Sequence, residues 1–75
     1  MESDNIIYCS DKYSVLAEEV YNDTDGLCFE LRLILNVLDC MIAVTHTWIY
    51  TDESLRKAFN NMNNKEVEDF FYKEV

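Results

Sequence analysis

One place in this sequence signals a sharp chain reversal more clearly than any other. The run Asn22-Asp23-Thr24-Asp25-Gly26 carries the sole glycine, and there is no proline anywhere in the 75 residues. Asn and Asp hydrogen-bond to their own backbone, and glycine accepts positive φ, so this run is a turn and ends whatever element precedes it. With no Gly-, Ser- or Pro-rich linker and no internal repeat, the chain reads as one domain over residues 1–75. A chain of this length buries a small share of its surface and has a marginal core. Yet 49% of its residues are apolar, more than so small an interior needs, so part of that surface is expected to meet a partner or a second copy.

Upstream of the turn, Asn5-Ile6-Ile7-Tyr8-Cys9 is β-prone and predicts a short strand or extended arm. Tyr13, Leu16, Ala17, Val20 and Tyr21 then recur at i, i+3, i+4, i+7 and i+8, which predicts a helix ending at the turn. Downstream, Leu27 to Tyr50 is open to two readings, a buried helix or a pair of strands. Strands are favoured because Phe29, Leu31, Leu33 and Leu35 alternate with Glu30 and Arg32. Val44, His46, Trp48 and Tyr50 likewise alternate with Thr45, Thr47 and Ile49. Asn36-Val37-Leu38-Asp39 is then the hairpin connection. Thr51 or Asp52 caps a helix with an inner stripe of Leu55, Ala58, Phe59 and Met62. Asn63 and Glu66 form a capping box for a final turn carrying Val67, Phe70 and Phe71. The fold class predicted is α+β: short N-terminal strand, helix, central β-hairpin and C-terminal helical segment, with an all-α bundle as the rival.

Cys9, Cys28 and Cys40 are odd in number and contain no CxxC pair, which argues against a disulfide framework. The acidic start Met1-Glu2-Ser3-Asp4 lacks the basic region of a secretory leader, so a reduced, cytoplasmic setting is expected. The longest uncharged stretch of the apolar region, Cys40 to Thr51, is well short of the roughly 20 residues that span a bilayer. No membrane association is expected.

Metal and cofactor readings are weak. With Gly26 at the sixth position of a calcium loop, Tyr21 and Arg32 would occupy the first and twelfth, and neither supplies a carboxylate. Cys9, Cys28, Cys40 and His46 could number a zinc set but lack close-spaced pairs. One histidine and one glycine build no familiar nucleophile, phosphate loop or nucleophile elbow. The expectation is a protein with no metal, no cofactor and no catalytic residue.

Charge is the strongest functional signal. Fifteen acidic residues against six basic ones leave a formal charge of −9. Such a field repels nucleic acid and anionic lipid while it attracts basic proteins. Residues 1 to 30 carry Glu2, Asp4, Asp11, Glu18, Glu19, Asp23, Asp25 and Glu30 against the single base Lys12. A row of carboxylates can occupy a groove built for phosphates. In size and charge, the chain resembles the small acidic DNA-mimic inhibitors that phages encode against host nucleic-acid-binding proteins. That resemblance implies a non-catalytic inhibitor acting in the host cytoplasm. Its partner would be a basic, nucleic-acid-binding protein, with no direct nucleic-acid contact, and Asp11, Glu18, Glu19, Asp23, Asp25 and Glu30 would be the partner-binding residues. The alternative is an adaptor or regulatory subunit that binds through an apolar aromatic patch, its acidity serving solubility. His46, Trp48 and Tyr50 would share one strand face as a dimer or interface surface, and a homodimer is expected.

Overall fold

A computed structural model describes residues 5–23, 26–48 and 50–72. Four strands form one antiparallel meander in the order β1-β2-β3-β4: β1 (Ile6–Cys9), β2 (Tyr13–Asn22), β3 (Gly26–Leu35) and β4 (Cys40–Thr47). Two nine-residue helices follow, α1 (Asp52–Asn60) and α2 (Asn64–Tyr72). The fold is thus α+β with a strand-rich N-terminal half, which corrects the strand–helix–hairpin–helix order read from the sequence and excludes the all-α rival.

The main correction is the helix expected over Tyr13–Tyr21, which is strand β2. All ten of its residues pair with β3, from Tyr13 opposite Leu35 to Asn22 opposite Gly26. Two periodicities coexist in this segment. Leu16 and Val20 complete a helical stripe with Tyr13, Ala17 and Tyr21, while Tyr13, Val15 and Ala17 also alternate, and those three are buried. Intrinsic preference is a weak prior, and the long ladder to β3 outweighs it. The Asn22–Gly26 turn therefore joins two strands. Gly26 sits there at φ 84°, in the left-handed region that favours glycine.

The β3–β4 connection is Asn36–Asp39, where the amides of Leu38 and Asp39 donate to the Leu35 carbonyl at 3.2 and 2.8 Å. Asp39 takes φ 54°, which short polar side chains tolerate. Strand β4 ends at Thr47, so Trp48 and Tyr50 lie beyond the strand expected to carry them.

Both helices are capped from within. The Thr51 hydroxyl accepts from the Ser54 amide at 3.1 Å while the Thr51 amide donates to Ser54 Oγ at 2.9 Å. Asn63 and Glu66 exchange the same pair of bonds, both at 2.9 Å. Each box satisfies amides that a helix start otherwise leaves unpaired.

The helices cover one sheet face. Val15, Leu31 and Leu33 from the sheet and Leu55, Phe59 and Val67 from the helices are fully excluded from solvent. Phe70 closes edge-on against Phe59, with ring centroids 5.0 Å apart. Helix α1 lies against β1. Helix α2 crosses the sheet, with Asn64 beside β1, Glu68 beside β2 and further packing on β4.

A polar latch fixes that crossing. Tyr8 and Ser10 donate to Asn64 Oδ1 at 2.7 and 2.6 Å. Tyr13 donates to Glu68 Oε2 at 2.6 Å, and Lys12 Nζ lies 3.3 Å from the same oxygen. The Tyr13 hydrogen bond and then Lys12 hold the Glu68 carboxyl below its ordinary 4.5. Glu68 in turn raises both Tyr13 and Lys12.

Two outcomes follow for stability. Leu55→Ala should cost about 2–5 kcal/mol, because it empties a site with no solvent access; a loss under about 1 kcal/mol in urea unfolding would contradict this packing. The second concerns pH. Depression of Glu68 adds stability above pH 4.5 that is lost as pH falls through the lowered value. The raised Tyr13 and Lys12 add stability below their ordinary 10.0 and 10.5 that is lost as pH rises through the raised values. Glu68→Gln should therefore flatten both limbs of the stability–pH curve, and an unchanged acid limb would show that the latch does not form.

Candidate binding surface

Because side chains alternate across a strand, the residues between the core positions all point to the second sheet face. Among the described residues, no helix lies over it. The register arranges that face in cross-strand rows. Ile6, Leu16, Arg32 and Val44 form one row, and Cys9, Ser14, Ile34 and Met41 the row next to it. On the other side lie Glu18, Glu30 and His46, then Val20 with Cys28. At about 4.8 Å between strands and 3.3 Å per residue, the face covers on the order of 500 Å².

Much of that face is apolar and open to water. Ile6, Met41 and Val44 are 38%, 53% and 41% exposed, and Trp48, just past β4, is 51% exposed. Cys28 is buried there and stands apart from the core cluster under the helices. The charged groups form a compact set. Arg32 lies 3.0 Å from Glu30 and 3.4 Å from Glu18, and His46 Nε2 lies 3.9 Å from Glu30. The His46 and Trp48 rings stand 6.3 Å apart. Arg32 thus sits between two carboxylates that would otherwise repel across the β2–β3 pair.

The acidic residues singled out from the sequence do not gather. Glu18 and Glu30 are neighbours on the uncovered face, both engaged with Arg32. Glu19 points to the opposite face, into a depression lined with Asn5, Ala17, Phe29, Asp52 and Arg56. Asp11 lies in the β1–β2 turn and Asp23 in the β2–β3 turn, at the two ends of β2. Asp25 lies outside the described residues. The aromatic set also divides: His46 and Trp48 stay together, while Tyr50 packs against the core.

Leu16, Ile34, Met41 and Val44 were missed as surface residues. Leu16 fell on the expected helical stripe, and the alternation of β3 and β4 marks two faces without saying which one the helices take. Cys9 and Cys40 are exposed on the two edge strands. Among the described residues, no cluster of three or more His, Cys, Asp or Glu is arranged to hold a metal, and no helix is long and apolar enough to cross a membrane.

Compared with protein-family models, curated proteins and solved structures, the chain matches none of them.

The half-exposed position of Arg32 sets its weight. Arg32→Gln should cost less than about 1 kcal/mol in urea unfolding, since exposed ion pairs are worth little. A loss of about 3 kcal/mol or more would mark it as a buried pair instead.

Proposed function

We propose that this chain is a non-catalytic binding module that engages another protein through the uncovered face of its sheet. The observation that carries the reading is the contrast between the two faces. One is sealed by α1 and α2, while the other leaves Ile6, Met41, Val44 and Trp48 in water. Contiguous exposed apolar surface rimmed by polar groups is characteristic of interaction sites. The partner would bring an apolar ridge to the Ile6–Leu16–Arg32–Val44 row and basic residues around it, drawn by the charge of −9. The three unpaired thiols are compatible with action in a reducing, cytoplasmic compartment.

The DNA-mimic reading is kept as the second, favoured by the net charge. It would act through salt-sensitive contacts spread over Glu19, Asp23 and the other exposed acids, with the sheet face uninvolved.

A pull-down from bacterial lysate separates the two. The face reading expects a captured protein to stay bound at about 0.5 M NaCl, where exposed charges are screened, and to ignore added duplex DNA. Ile6→Lys/Val44→Lys should release it, while Glu19→Lys/Asp23→Lys should weaken it only at low salt. Capture that is lost to salt, to duplex DNA and to the Glu19/Asp23 reversal, yet indifferent to the face variant, would overturn the face reading in favour of mimicry.

A further inference from the structure

The two edges of the sheet are unequal. Strand β1 has four residues, a register irregularity between Ile6 and Tyr8, and helix α1 against it. Those are devices by which sheets avoid pairing with other chains. Strand β4 is twice as long and carries no proline and no Asp, Glu, Lys or Arg. Its one irregularity lies at the turn end, where Ile34 and Leu33 pair with Met41 and Ala43 and skip Ile42. Ala43–Thr47 is left as a regular five-residue edge. Along that edge and its turn lie Val37, Leu38, Met41, Ile42, Val44 and Trp48, six of the ten exposed large apolar residues among those described.

Charge identifies the occupant. The chain is a polyanion of −9, yet Cys40 to Thr51 contains no Asp, Glu, Lys or Arg. Two copies repel wherever carboxylates oppose, and β4 is an exposed strand along which they can meet without opposing them. From this unprotected, carboxylate-free edge we propose that two copies pair antiparallel through β4, extending the meander into one eight-stranded sheet. An antiparallel strand pair is self-complementary about a two-fold axis. An axis at Thr45 uses the whole regular segment: Thr45 faces its own copy, Val44 faces His46, and Ala43 faces Thr47. Side chains of one parity stay on one side, so the two uncovered faces become one continuous surface. The dimer is reversible and concentration-dependent, because one strand pair buries less than a permanent interface. It does not depend on the partner reading above.

Thr45 is on the helix-covered side, opposite Leu31, so Thr45→Lys sets like charges against each other at the two-fold axis and leaves the uncovered face intact. Sedimentation velocity of the full chain should show a mass shift from monomer to dimer with rising concentration, and Thr45→Lys should abolish it with an unchanged circular-dichroism spectrum. A mixed-label sample of the wild type should give intermolecular cross-peaks between Val44 and His46, a readout independent of any variant's folding. A monomer at every concentration would overturn the proposal. So would a dimer that lacks those cross-peaks or survives Thr45→Lys. If dimerisation fails while lysate capture persists, only this inference falls; if capture fails while the dimer forms, only the partner reading does.

Discussion

Everything in this molecule rests on one-sided burial. Val15, Leu31 and Leu33 lose all contact with water because Leu55, Phe59 and Val67 lie over them. Two nine-residue helices can cover one face of a four-stranded sheet and no more. The 22 Å short dimension of the molecule accommodates a sheet and a single helical layer. Apolar side chains at the other parity of the same strands are thereby left at the surface, although Leu16, Ile34 and Val44 are as apolar as core residues. The candidate binding surface is a geometric consequence of how the core is closed.

The polar groups fit that division. The Asn64 and Glu68 latch lies on the covered side and holds α2 across the strands, so its hydrogen bonds act on the core. The Glu18–Arg32–Glu30 set lies on the uncovered side and interrupts what would otherwise be an unbroken apolar sheet. A flat apolar face invites indiscriminate association, and charges within and around it restrict which surfaces can dock. On this view the acidity and the apolar face are complementary. In the proposed reading, the negative field would keep most surfaces apart and draw basic ones in, and the apolar rows would hold what had been drawn.

Much of this was legible in the residues. The alternation of Phe29, Leu31, Leu33 and Leu35, the Asn36–Asp39 connection, the Thr51 cap and the Asn63/Glu66 box all lie where the sequence placed them. Each is a local signal whose physics acts within a few residues. Strand β2 was not legible, because Tyr13, Leu16, Ala17 and Val20 satisfy a helical period and a strand period together, and only pairing with β3 decides between them. The placement of the acidic residues changes for the same reason. Once Tyr13–Tyr21 is a strand, Glu18 and Glu19 point to opposite faces and the expected acidic row dissolves. The surface that replaces it depends on which face the helices take, and no residue of β2 or β3 encodes that choice alone.

The most direct test is the solvent accessibility of methyl groups, read by NMR with a soluble paramagnetic probe, first alone and then with the captured partner. In the free protein, the methyls of Ile6, Met41 and Val44 should relax strongly, while those of Val15, Leu31, Leu33, Leu55 and Val67 should be protected. Partner addition should protect the first group and leave the second unchanged. Equal relaxation of the two groups in the free chain, or a partner that leaves Ile6, Met41 and Val44 open to the probe, would contradict a protein that buries one sheet face to fold and offers the other to bind.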